Sequence, residues 1–92
     1  MSKYVILVND LSDESSKAIA DAVARSGAGW WHWMPHAWLL DDRQSRGVSY
    51  WSRLCTETAP GASVLVFAAA ESPAAAGFLP ATWHPWLIEH WT

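Results

Sequence analysis

Two side chains lead the search for chemistry in this chain, Asp10 and His32. Asp10 follows the apolar run Tyr4 to Val8 and Asn9, so its carboxylate stands where a strand ends. Hard oxygen ligands suit Mg²⁺ or Mn²⁺; Asn9 and Asp13 are polar neighbours, and a dimer would bring a second Asp10. The plainer role for the same residue is a cap or turn before a helix. His32 offers an imidazole for general acid or base work or for a metal, set against a packed ring hydrogen-bonded through one nitrogen between tryptophans. His36 lies four residues on, a helical spacing, yet Pro35 intervenes and no HExxH signature is present. His84 and His90 carry less signal still.

Other reactive groups have weaker settings. Ser15, Ser45, Ser49 and Ser52 lack a G-x-S-x-G elbow or an ordered His/Asp partner, so surface, cap or core roles fit them better. Cys55 is the single cysteine. It excludes an internal disulfide and any cysteine-based zinc or redox motif, and its place on the apolar side of a helix reads as a small buried hydrophobe. No glycine-rich phosphate loop occurs, which argues against a nucleotide cofactor. No cofactor is expected, apart from Mg²⁺ or Mn²⁺ should Asp10 be catalytic.

The stretch WWHWMPHAWLLD, residues 30 to 41, holds four of the eight tryptophans. Its residues alternate with the period of extended chain, Trp31 and Trp33 against Trp30, His32 and Met34, and resume after Pro35 as Trp38 and Leu40 against Ala37 and Leu39. Pro35 cannot donate to a sheet ladder and marks an edge, a bulge or a break between two short strands. Trp30, Trp31 and Trp33 could stack on single-stranded nucleic acid or another flat ligand. Without interleaved cations, core packing on one face and a dimer contact on the other account for them more simply.

Those side chains are positioned by a regular run of elements. Tyr4 to Val8 reads as a central strand buried on both faces. Residues 12 to 26 switch to a helical period, with Ala18, Ile19, Ala22 and Val23 as the apolar stripe. Asp13 with Lys17 and Asp21 with Arg25 are ordered pairs, Ser12 or Asp10 is the cap and Gly27 the stop. DDRQSRG, 41 to 47, is a loop, and a second helix is expected from about Ser45 to Thr58, ended by Pro60-Gly61. Residues 62 to 70 form another doubly apolar strand, which needs a cover if it is an edge. Glu71 to Gly77 reads as loop. Phe78-Leu79-Pro80 leads to a short helix with Pro85 in its first turn and Trp83, Trp86, Leu87 and Trp91 on one side.

This order implies one α+β domain over residues 1–92, a ferredoxin-like split β-α-β sandwich with a short C-terminal helical appendage. The competing topology keeps residues 31 to 40 as one strand in a three-stranded flavodoxin-like sheet. Nine acidic against six scattered basic residues, net charge −3, argue mildly against gripping a phosphate backbone. Neither a signal sequence nor an apolar span of membrane length is present, which makes a cytoplasmic protein the default.

Several of these features together resemble a known family. Asp10 after the first strand, Gly29-Trp30-Trp31-His32 through Trp38-Leu39, Val64-Leu65-Val66-Phe67, and Ala76-Gly77-Phe78-Leu79-Pro80 with Trp83 and Trp86 resemble the SinR-like family of small bacterial proteins. That family is similar in fold to the small CRISPR-associated adaptation protein and to VapD-type toxins. The resemblance implies a ferredoxin-like homodimer. In those relatives an aspartate after the first strand is linked to metal-dependent nuclease activity, and the matching residue here is Asp10. Relatives commonly carry a tyrosine where this chain has Asn9.

Two functions follow as expectations. One is a non-catalytic dimeric scaffold or interaction protein, with a protein partner. The other is a divalent-metal-dependent ribonuclease working through paired Asp10 residues, with His32 as a further catalytic candidate. A small-ligand-binding domain is the third reading, decided by whether the tryptophans form a pocket.

Overall fold

A computed structural model describes residues 2–9, 12–70, 77 and 80–91. The chain runs β1 (Ser2–Asn9), α1 (Asp13–Ser26), β2 (Gly29–Met34), β3 (Ala37–Asp42), α2 (Val48–Thr58) and β4 (Ser63–Ala69). A single 3₁₀ turn (Ala81–Trp83) and α3 (His84–His90) follow. The fold class is α+β. The four strands form one antiparallel sheet in the order β2-β3-β1-β4, so β1 is central and both β2 and β4 are edges.

Local chemistry sets the element boundaries. Ser12 caps α1, its Oγ accepting from the Ser15 N–H at 3.0 Å, and Gly27 ends the helix in the left-handed region at φ 83°. The exposed ion pair on this helix joins Lys17 to Asp21 at 3.0 Å. Pro35 and His36 form the turn between β2 and β3, so residues 31 to 40 are two strands and the three-stranded alternative falls. Between the Trp31–Leu39 and Met34–Ala37 pairs, His32 and Trp33 stand opposite Trp38 alone, a bulge in the edge strand.

The second helix begins at Val48, three residues later than its sequence suggests. Ser45 is held at φ 48° and Gly47 at φ 100°, so neither can belong to a right-handed helix. The cause is Asp42, only 1% exposed. Its Oδ1 accepts from the Gln44 N–H at 3.1 Å and Arg46 Nη1 at 3.0 Å; its Oδ2 accepts from the Arg46 N–H at 3.0 Å and Trp51 Nε1 at 3.2 Å. Arg46 also donates to the Ser26 carbonyl at 2.7 Å and lies over the Tyr50 and Trp51 rings. A buried carboxylate is tolerated when a cation and several donors surround it in this way.

The two long helices cover one face of the sheet. Tyr4, Ile6 and Val8 of β1 and Trp38 and Leu40 of β3 meet Ile19 and Val23 of α1 and Trp51 and Cys55 of α2 in the main core. β1 and β3 therefore send their even-numbered residues inward, with Asp42 continuing the inward series Trp38, Leu40. The odd-numbered residues of β1 and β3 lie on the second face. β1 is central as its composition suggests, but that second face is not uniformly buried: Val5 is half-buried and Leu7 exposed.

Candidate interaction face

The second face of the sheet divides into two unlike halves. Over β2 and β3, the 3₁₀ turn and α3 fold back against the strands. Pro85 sits in the first turn of α3, where a missing N–H costs little, and so short a helix draws its stability from this packing. Trp31 is 4% exposed and donates from Nε1 to the Trp83 carbonyl at 3.0 Å. Trp83 stands edge-on to Trp31, with ring centres 6.1 Å apart, and stacks on Trp33 at 5.8 Å. Trp86 packs near both His90 and Trp91, and Trp91 is 5% exposed. These rings make a second, smaller core.

Polar residues pin this cap in place. Lys3 and Asp41 are opposite one another in the β1–β3 register, both largely buried. His90 Nδ1 lies 3.2 Å from Asp41 Oδ2, joining the end of α3 to the sheet across 49 residues of sequence. Through this pair the imidazole orients the last turn of the helix.

Over β1 and β4 nothing among the described residues plays the part of α3. Leu7 is 40% exposed, Leu65 59% and Phe67 45%. Leu7 pairs with Leu65, and Val5 with Phe67, in the β1–β4 register, so these side chains stand side by side on one apolar surface. No cation or carboxylate interrupts that row. An exposed apolar row on an edge strand is the kind of surface natural proteins normally cover.

The residues proposed for chemistry fall in separate places. Asp10, Phe78 and Leu79 lie outside the described residues, as does most of the loop expected at 71 to 77. His32 stacks flat on the buried Trp38, ring centres 3.7 Å apart, with Nδ1 2.9 Å from the Ala37 carbonyl. One ring nitrogen is thus engaged by backbone and one ring face by indole. Cys55 is fully buried in the main core, and burial pushes its thiol up to about 11, so it stays neutral at physiological pH. Among the described residues no group of three or more His, Cys, Asp or Glu comes together to hold a metal ion, and no helix is long and apolar enough to cross a membrane.

Among the described residues three clefts accompany the sheet, the smallest, about 250 Å³, lying at the β1–β4 pair among Leu7, Asn9, Ser63 and Leu65. A shallow groove of about 520 Å³ between α2 and the β4 edge is lined by Ser49, Ser52, Arg53 and Thr56 on one side and by Val64 to Val66 on the other. Another cleft of about 410 Å³ wraps the free edge of β2 between Trp30, Trp33 and Trp86. Sequence reasoning singled out the tryptophans of β2 but not Lys3, Asp41 and Asp42, nor the partnership of Trp86 with β2. For Asp42 the signal was present: continuing the alternation from Trp38 and Leu40 sends it inward, where it needs a cation, and Arg46 follows four residues later. No family model, curated protein or solved structure matches the chain.

Proposed function

We propose that this chain is a non-catalytic homodimeric scaffold or interaction protein, joined to its second copy through the β1/β4 half of the second sheet face. The row Leu7, Leu65 and Phe67 carries this reading: three large apolar side chains are 40%, 59% and 45% exposed on neighbouring strands. An apolar patch without charges in its row can meet its own copy, so a two-fold axis through it buries the same row on both copies. The framework is read as the ferredoxin-like split β-α-β. The order β2-β3-β1-β4, with a helix after β1 and another after β3, supports that reading. The resemblance to the SinR-like family points to the same fold and to the same dimeric habit.

Light scattering across a concentration series tests the proposal. Wild-type protein is expected to be a dimer at micromolar concentration, and Leu65→Asp a folded monomer. A wild-type monomer at all concentrations would sink the reading. The catalytic alternative, a Mg²⁺- or Mn²⁺-dependent ribonuclease using Asp10, separates cleanly from it. Asp10→Asn leaves a scaffold's dimerisation unchanged, whereas chelator-sensitive RNA cleavage lost in that variant would replace the scaffold with the nuclease.

A further inference from the structure

The cleft around the free edge of β2 is built almost wholly of aromatic faces. Trp30 reaches it from the helix-covered side of the sheet; Trp31 and Trp33 reach it from the other side, and Trp86 of α3 closes that flank. Ordinary strand alternation lets one edge strand offer rings on both sides of its own backbone, Trp30 on one and Trp31 and Trp33 on the other. Trp30 remains 45% and Trp33 52% exposed, so two indoles stand at the rim, Trp33 with one face stacked on Trp83. At about 410 Å³ the cleft falls within the range of roughly 300–1,000 Å³ usual for small-molecule sites.

The chemistry of the lining selects the ligand. Among the described residues its side chains are four indoles and one imidazole, with no hydroxyl, carboxamide, carboxylate or guanidinium. The polar atoms known to be engaged look elsewhere: Trp31 Nε1 donates to the Trp83 carbonyl, and His32 Nδ1 meets the Ala37 carbonyl. A sugar's many hydroxyls would have only indole and imidazole nitrogens and the strand-edge backbone to pair with here. A nucleic-acid strand would bring phosphates to a wall without cations. A quaternary ammonium ion asks for neither. It has no N–H to satisfy, its hydration is weak, and indole faces present the negative side of their quadrupole to it. The surroundings have the matching sign, since Glu89 lies one helical turn from Trp86 with its side chain 77% exposed and the chain carries net charge −3.

We propose that the Trp30–Trp33–Trp86 cleft is a binding site for a small quaternary ammonium compound of the choline type. The site is separate from the β1/β4 face, and neither assignment depends on the other.

Binding is read by calorimetry and by the indole N–H signals in nitrogen-15 spectra, using choline and tetramethylammonium as probes. The neutral isostere 3,3-dimethylbutan-1-ol has the shape of choline without its charge. Saturable choline binding, roughly millimolar or tighter, is expected, with the isostere about tenfold weaker. Trp30→Ala and Trp33→Ala should each abolish it, and Trp30→Phe should restore part. Both positions are half exposed, so these variants keep their fold, checked by circular dichroism. Three results would overturn the assignment: no saturation by either cation, equal binding of the isostere, or binding unchanged in both alanine variants. Preferential binding of an oligosaccharide or of single-stranded DNA through the same indoles would also overturn it.

Discussion

The two halves of the second sheet face receive the same backbone and finish differently. Over β2 and β3 the chain spends its own C-terminal helix, a cluster of five tryptophans and the Asp41–His90 pair on covering the strands. Over β1 and β4 it leaves Leu7, Leu65 and Phe67 bare. A sheet buried on one face only usually alternates apolar and polar residues. Here β4 is apolar on both, which tells against solvent as the permanent neighbour of its outer row. The difference teaches that one half is capped from within, while the other has no such cap among the described residues, the cover proposed for it being a second copy.

Substitutions in the two halves should therefore be read out by different measurements. The largest effect belongs to the self-covered half: Trp31→Ala removes a 4% exposed indole and its bond to Trp83. Denaturant unfolding is expected to show a loss of about 3–5 kcal/mol that does not vary with the kind of cap the other half receives. An unchanged midpoint would mean that α3 contributes nothing to the sheet. In the bare half, Phe67→Asp puts a carboxylate into a face meant for apolar contact. It should weaken dimerisation by about 3 kcal/mol or more, measured by sedimentation equilibrium, while the monomer stays folded.

The main core supplies a reference belonging to neither half. Cys55 is held neutral up to about 11, against 9.0 when free, because burial penalises the thiolate. The folded state therefore keeps a proton that the unfolded chain gives up. Its contribution is complete below pH 9, declines by roughly 1.4 kcal/mol per pH unit above it and is gone beyond about pH 11. Comparing thermal unfolding of wild type with Cys55→Ala over that window isolates the slope; parallel curves would contradict the burial. The smallest effect is expected from His90→Ala, which loses the 3.2 Å contact to Asp41. Roughly 1 kcal/mol is at stake, concentrated in faster amide exchange of α3 and leaving dimerisation untouched.

What could be read from the sequence was whatever neighbouring residues decide among themselves. Ser12 and Gly27 punctuate α1, the two-residue period continues across Pro35, and β1 is apolar enough to be central. The start of α2 was missed because Asp42 reaches forward into its own loop and holds Ser45 and Gly47 out of the helical region. Periodicity contains no such information. Contacts between distant segments were equally hidden: His90 with Asp41, Trp86 beside β2, and α3 over only half of a face. His32 was legible as a packed ring held through one nitrogen, but its partner Trp38, across the β2–β3 pair, was not named.

The most direct test mixes isotope-labelled and unlabelled protein and records only the nuclear Overhauser effects that pass between copies. The account predicts intermolecular contacts from the Leu7 and Leu65 methyls to each other and to the Phe67 ring, with none involving the Trp31–Trp83–Trp91 cap. Contacts arising from another surface, or none at concentrations where the protein is fully associated, would contradict the claim that a second copy covers the β1/β4 half.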